Sequence, residues 1–367
     1  MIKKFCVKNF KNFKNEITLD FSKIRDYGFT QELIRDGLIN KMLIYGPNNS
    51  GKSNLGAAIM DITFHLGNNY DSDDRTYLYY LNGDCTFDYA SFKYEFLFGE
   101  KLVTYVYEKN TKMELISEEL WEGDNLLFEY NYRNNKYTNN IKEAQTIDIS
   151  KRSSHSSSAL KFIYTNTLYW PEDSAVKLLM EFVSGMICVR SFRNDDVPFS
   201  RMNGNDLHEF IIDNGLLGDF EKFLQNCGQC YNLTEINEGG RKFIGVKFRN
   251  YKARFELVAS TGTQSLWLFY YFLNKKRSLS FVYLDEFDAF YHYELATSVL
   301  RYINEKKNIQ TVLTSHNTYL ISNELMRPDC YFMLNNGKVN SFADRTMKTI
   351  RQAHNLEKMM LGGEFEE

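Results

Sequence analysis

Lys41-Met-Leu-Ile-Tyr-Gly46-Pro-Asn-Asn-Ser-Gly51-Lys52-Ser53-Asn54 is the stretch on which the fold of this chain turns. A short apolar run, Met42 to Tyr45, gives way at once to turn residues, and Leu55, Ala58, Ile59, Ile62 and Leu66 then recur at helical spacing. The order is strand, glycine turn, helix. Gly46 to Ser53 satisfies G-x-x-x-x-G-K-[ST], a pattern whose glycines let the backbone curl until successive N–H groups point at phosphate oxygens. The helix that follows adds its positive N-terminal end. Gly46, Asn49, Ser50, Gly51 and Asn54 are then the candidate lining of a phosphate cradle. Lys52 is placed to reach the β- and γ-phosphates of a bound nucleotide, and the Ser53 hydroxyl to ligate Mg²⁺.

Such a loop needs a carboxylate at the end of another strand. Phe281-Val-Tyr-Leu-Asp285-Glu286 supplies two, with Asp285 the candidate metal ligand and Glu286 the residue to orient or deprotonate water. An acidic strand end that merely caps the next helix is the plainer alternative, and the accompanying loop outweighs it. Leu313-Thr-Ser-His316-Asn317 ends the next apolar run, so His316 is a candidate donor to a γ-phosphate oxygen. Ser260-Thr-Gly262-Thr263-Gln264 opens a further helix with small hydroxyl residues, a second anion-binding terminus. One nucleotide cannot easily use two helix ends of one sheet. Ser260, Gly262, Thr263 and Gln264 are therefore expected to grip the nucleotide of another copy, although a plain N-cap has the same composition.

Around these motifs the pattern alternates. Ile2 to Val7 and Ile17 to Phe21 read as strands, and the segments 92–98 and 102–107 alternate with period two, as half-buried strands do. Asn131 to Ser158 is rich in Asn, Lys and Ser and reads as a mobile loop; Glu172 to Met186 and Asp206 to Asn226 read as helices. From 256 onward, helix Thr263–Asn274, strand Leu279–Leu284, helix Tyr293–Glu305, strand Ile309–Thr314 and a hairpin over 330–342 follow in turn. The expected fold class is α/β: a mostly parallel sheet, an antiparallel β subdomain and a small helical insertion. The expected organisation is one discontinuous domain, with core about 1–130 and 240–367 and an arm or lid over about 131–239.

Composition removes other classes. Forty-four Lys and Arg against 47 Asp and Glu give a net charge of −3, which excludes a globally basic nucleic-acid coat. No run approaches the length of a membrane span, and the scattered charges of the first eight residues do not form a secretory leader, so a cytoplasmic protein is expected. Lys3, Lys4, Lys8, Lys11 and Lys14 leave two readings open, a DNA-facing patch or a solvated strand face, the second being commoner. Cys227 and Cys230 have the spacing of half a zinc site but lack a second pair, and two ordinary cysteines at a helix end is the better reading. Asp288 and His292 are read as helix caps rather than site residues.

The P-loop, Ser-x-Gly-Thr-Gln, Leu-Asp-Glu and Ser-His, in that order, resemble the ABC-type ATPases. Val7-Lys-Asn-Phe-Lys-Asn-Phe13 resembles the opening of the RecF/SMC branch. Gly46 to Asn54 with Asp285 to Asp288 is most similar to compact AAA/ABC ATPases of bacterial anti-phage and abortive-infection systems. The resemblance covers roughly half the chain. It implies ATP and Mg²⁺ as cofactors, slow hydrolysis, and assembly with itself through composite sites. It also implies a separate effector, a nuclease or toxin, in antiviral defence, and no membrane. A RecF-like DNA-repair ATPase, a nucleotide-locked scaffold and a transporter motor are the rivals. The last is weakened by Ser-Thr-Gly-Thr-Gln standing where transporters carry Leu-Ser-Gly-Gly-Gln. Gln145 and Gln225 are candidates for the glutamine such proteins place between P-loop and signature.

Overall fold

A computed structural model describes residues 1–67, 79–149, 158–190, 204–275 and 278–366. Its centre is a six-stranded sheet in the order Met186–Arg190, Phe281–Asp285, Gln310–Ser315, Lys41–Tyr45, Tyr331–Asn335, Lys338–Ser341. The first five strands run parallel and the last is the antiparallel arm of a hairpin. Parallel strands are covered on both faces, and these read accordingly as continuous buried runs: all five residues of Phe281–Asp285 and all six of Gln310–Ser315 are buried.

The second layer is a seven-stranded antiparallel sheet built from Lys136–Asn139, Asn125–Asn131, Leu115–Glu122, Lys101–Asn110, Tyr89–Phe98, Ile2–Lys8 and Ile17–Asp20, in that order. Period-two alternation gives it one aromatic face: Phe92, Tyr94, Phe96, Tyr105 and Tyr107 are fully buried. This face packs on the helix Lys52–Met60, where the Tyr94 hydroxyl lies 3.0 Å from the Ala58 carbonyl and 3.1 Å from that of Ile59. Lys109 extends the buried row and donates to Asp61 Oδ2 at 2.6 Å. The helix behind the glycine turn is therefore wedged between the two sheets.

Most of the expected elements are present, with informative differences. The stretch after Asn131 is no loose loop as far as it is described: Lys136–Asn139 folds back on Asn125–Asn131 and a 3₁₀ turn follows at Lys142–Ala144. Residues 150–157 of that expectation lie outside the described residues. The helix expected over Glu172–Met186 is Ala175–Ser184, because Gly185 ends it and Met186–Arg190 becomes a strand of the main sheet beside Phe281–Asp285. The span 131–239 thus contributes a core strand as well as helices. Asp206–Asn226 is two helices, Gly204–Asp213 and Leu217–Asn226, separated by Gly215 in the left-handed region. A three-stranded sheet, Leu233–Glu238, Arg241–Lys247 and Lys252–Arg254, follows them. Its Gly239-Gly240 turn, with both φ positive, is a hairpin signal. Cys227 closes the helix Leu217–Asn226, and burial pushes its thiol up to about 12, which suits an inert residue rather than a redox or metal pair.

Candidate functional site

Gly46 leaves the strand Lys41–Tyr45 at the carboxyl edge of the parallel sheet, where ligands of open α/β sheets bind. The loop that follows is tightly curled. A Cβ on Gly46 would come within 2.6 Å of Ser50 Oγ and 2.7 Å of the Leu334 carbonyl, and Gly51 adopts φ 103° immediately before the helix. Asn49 is also left-handed, at φ 65°. Inside the curl, Ser50 Oγ is buried without a hydrogen-bond partner among the described residues. An unspent hydroxyl in a pinched backbone cradle suits a phosphate oxygen. Lys52, only 4 % exposed, lies back over the loop and donates to the Gly46 carbonyl at 2.7 Å and the Pro47 carbonyl at 3.0 Å. Ser53 is half-buried in the first turn of the helix.

The helix is held from below by the strand that carries the acids. Gly56 has no side chain, and a Cβ there would meet the Tyr283 ring at 2.4 Å, so the ring lies flush beneath the helix and its hydroxyl donates to the Lys52 carbonyl at 2.6 Å. From above, Asn12 covers the loop: its amide donates to the Ser50 carbonyl at 3.3 Å and accepts from Asn54 at 2.7 Å. A Cβ on Gly51 would strike that amide at 2.4 Å. Asn12 is presented by a turn whose Asn9 and Lys11 are left-handed and whose Phe10 and Phe13 are buried. Sequence reading passed over Asn12 as a site residue, although it sits inside the Asn-Phe-Lys-Asn-Phe motif.

Asp285 ends its strand 4 % exposed and accepts a 2.7 Å hydrogen bond from the Thr314 hydroxyl. Glu286 is half-buried and steps out of the strand with φ 49°. Burial draws the Lys52 ammonium below the usual lysine range, while Glu286, then Asp285 and Asp288, pull it back up. The acid loop and the cradle therefore share one electrostatic field. The intervening strand ends at Ser315, paired with Tyr45 of the cradle strand, and the Ser315 carbonyl accepts from Gly46 N–H at 3.4 Å. His316, the next residue, is exposed at this same edge. Among the described residues no three His, Cys, Asp or Glu side chains form a metal cluster. A cation at Asp285 and Ser53 would draw its remaining ligands from water and phosphate.

Asp288 is not a helix cap. It is 7 % exposed and accepts from the Ser315 hydroxyl at 2.8 Å, while its other oxygen, Oδ1, is buried with no hydrogen-bond partner of good geometry among the described residues. Burial pushes its carboxyl above the usual range against the pull of Ser315 and its own backbone N–H. His292 does occupy the N-cap of the helix Tyr293–Glu305, but its side chain makes no cap hydrogen bond.

The helix expected over Thr263–Asn274 runs from Thr261 to Lys275, so Thr261 and Gly262 lie in its first turn. Ser260 caps it, accepting from Thr263 N–H at 3.2 Å, with its hydroxyl 2.9 Å from that of Thr263. Ser260 and Thr261 are exposed and Gly262 is half-buried. Thr263 and Gln264 are committed inward: Thr263 is buried and donates to Gln229 Oε1 at 3.4 Å, and the Gln264 amide donates to the Glu256 and Ala259 carbonyls at 2.9 and 3.2 Å. The four residues are thus brought together, but two present little to a ligand. Gln145 is far from any such role, its amide donating to the Asn139 and Ile141 carbonyls in the antiparallel layer.

Residues 41–322, from the first residue of the cradle strand to just beyond His316, match the family model described as "AAA domain, putative AbiEii toxin, Type IV TA system". The chain belongs to that family. This AAA-family ATPase domain is also similar in fold to a solved SMC head bound to the C-winged helix domain of ScpA. The two share 16% identity over 93% of this chain and 96% of that one, at a TM-score of 0.52. An SMC head domain from Thermotoga maritima aligns at 14% identity over 93% and 97% of the two chains, with a TM-score of 0.47. A search of curated proteins finds no match. No helix among the described residues is long and apolar enough to cross a membrane.

Proposed function

We propose that this chain binds ATP with Mg²⁺ in the Gly46–Asn54 cradle and hydrolyses it slowly once a second copy closes the site. Lys52 leaves the Gly46 and Pro47 carbonyls for the β- and γ-phosphates, and Ser50 Oγ gains the partner it lacks. Ser53 and Asp285 hold the cation, which neutralises phosphate charge. Glu286 orients and deprotonates water, and His316 donates to the γ-phosphate. The observation that carries the composite site is the exposed tip of the helix Thr261–Lys275. Ser260 hydrogen-bonds only within its own first turn among the described residues, and it stands beside Leu257, which is 76 % exposed. The Phe290 carbonyl abuts Gly262, and Tyr293 packs on Tyr319, 63 % exposed, just past His316. An exposed polar helix tip with exposed apolar side chains close to it along the chain suits a partner surface. A second copy is the natural occupant because its own cradle would supply the anion.

We further infer one discontinuous domain whose core comprises about 1–130, the strand Met186–Arg190 and about 240–367, with the rest of about 131–239 serving as arm or lid. Nucleotide-driven assembly would present or restrain a separate nuclease or toxin in antiviral defence, within the cytoplasm. The family description and the SMC head that carries ScpA support a partnered ATPase. A RecF/SMC-like DNA-repair role is the second reading, resting on the lysines of the first strand. It is weakened because Lys4 lies 3.8 Å from Asp20 and Lys8 lies over the Phe87 ring. DNA-stimulated turnover with salt-sensitive duplex binding would establish it.

The test mixes Lys52→Ala protein with Ser260→Arg protein. Each alone is expected to be inactive, and the mixture to recover turnover because one of its two sites pairs intact halves. Absence of rescue, or a monomer whose rate per molecule is independent of its concentration, refutes the composite site.

A further inference from the structure

We propose that Thr314 and Ser315 are positioning residues for hydrolysis, their two hydroxyls holding the Asp285-to-Asp288 loop in the one shape that aims Glu286 at the nucleotide. The inference rests on the reading of Glu286 as the group that activates water, and adds what places it there.

After Asp285 the chain must leave the strand without losing its aim. It does so through Glu286 at φ 49°, a left-handed conformation that strains a non-glycine residue and persists only where its surroundings enforce it. The enforcing contacts come from a single residue on the neighbouring strand. Thr314 Oγ1 accepts from Glu286 N–H at 2.8 Å and donates to Asp285 Oδ1 at 2.7 Å, while the Thr314 carbonyl accepts from Phe287 N–H at 3.3 Å. Ser315 repeats the device one residue later. Its hydroxyl donates to Asp288 Oδ2 at 2.8 Å and accepts from Asn317 N–H at 2.9 Å. Both hydroxyl residues are fully buried.

Chemistry restricts who can fill these positions. Each must donate to a carboxylate and accept from an N–H through one atom, which among short side chains only a hydroxyl does. Valine would match the shape of Thr314 and supply neither bond. The placement also matters. The acid strand lies two positions from the cradle strand in the sheet, and the strand between them ends in Thr314 and Ser315, in register with Ile44 and Tyr45. Ser315 also takes the Gly46 N–H on its carbonyl. The same two residues therefore reference the acids to the cradle. An ångström of drift between them is the kind of error that lowers turnover without altering how tightly phosphate is held.

Thr314→Val tests this at constant shape. The expected result is a fall in kcat of roughly 10- to 100-fold with KM for ATP within about 2-fold. Thr314→Ser should return to within about 3-fold of wild type, since it keeps the hydroxyl. In a Glu286→Gln background Thr314→Val should cost far less than in wild-type protein, because the part of its effect that passes through Glu286 is already gone and only its bond to Asp285 remains. Wild-type kcat in Thr314→Val, losses that multiply with Glu286→Gln, or a loss that Thr314→Ser fails to recover each overturn the inference. Wild-type protein no faster than Lys52→Ala removes the hydrolytic reading and this inference with it. Activity that Lys52→Ala abolishes and Thr314→Val leaves untouched removes the inference alone.

Discussion

Lys109→Met should be among the most damaging single changes outside the nucleotide site. Asp61 follows the helix Lys52–Met60 directly, a position where a negative charge opposes the helix dipole. Its carboxylate is fully buried. Oδ2 takes Lys109 Nζ at 2.6 Å and the Tyr107 hydroxyl at 2.8 Å, and Oδ1 has no hydrogen-bond partner among the described residues. Removing Lys109 leaves a buried anion with one neutral donor, a situation that costs roughly 3–5 kcal/mol. Asp61→Leu alone strands the ammonium instead and should cost a similar amount, about 3–5 kcal/mol. The double variant Lys109→Met/Asp61→Leu removes both charges and fills the space with apolar atoms, so it should lie within about 1 kcal/mol of wild type or above it. The coupling energy is therefore about 5 kcal/mol or more, far beyond the roughly 0.3–0.5 kcal/mol scatter of independent sites. Urea unfolding of all four proteins, with the m value checked for constancy, measures it. Losses that simply add, giving a double variant worse than either single one, refute the argument that the pair is a mutually compensating buried charge pair.

Three further outcomes follow from particular contacts. Gly56→Ala gains about 1 kcal/mol of helix propensity but drives a methyl to 2.4 Å from the Tyr283 ring, so a net loss of about 1–2 kcal/mol is expected in thermal unfolding, largely relieved by Tyr283→Leu. Asn12→Ala removes the two amide contacts over the P-loop and should raise KM for ATP by up to about 10-fold with kcat little changed, measured by steady-state kinetics. Lys41 is fully buried, its ammonium shared among the Lys306 and Ile309 carbonyls and the Thr311 hydroxyl, and burial pulls it down to about 7 from 10.5. The unfolded chain holds that proton through the window from about 7 to 10.5 and the folded one does not, so stability should rise with pH across it; Lys41→Met should flatten the slope in urea titrations at stepped pH.

Much of the core was legible because its causes are local. The run Met42–Tyr45 before Gly46, and Leu55, Ala58, Ile59 and Ile62 after it, specify strand, turn and helix through periodicity and backbone freedom alone. Tyr293–Glu305 was read to the residue, since an apolar face at helical spacing has no competing interpretation there. The middle was harder. Glu172 to Met186 reads as one helix, yet the helix stops at Ser184 and Met186–Arg190 is a strand because Phe281–Asp285 offers it an edge, and no pattern within the segment announces that. Lys136–Asn139 is polar and exposed, so composition alone suggested a loop, while pairing with Asn125–Asn131 made it a strand.

By itself, then, the sequence determined the curled glycine loop, the acid pair at a strand end, and the hydroxyl-rich helix start, because each depends on a few neighbouring backbone angles and side chains. Only the tertiary structure decided that Asp288 faces Ser315 rather than capping a helix, that Thr314 bridges Asp285 to Glu286, and that Asn12 lies over Gly51. Those contacts join segments far apart along the chain. Their partners are chosen by sheet order and register, which many weak contacts settle together and no single stretch of residues encodes.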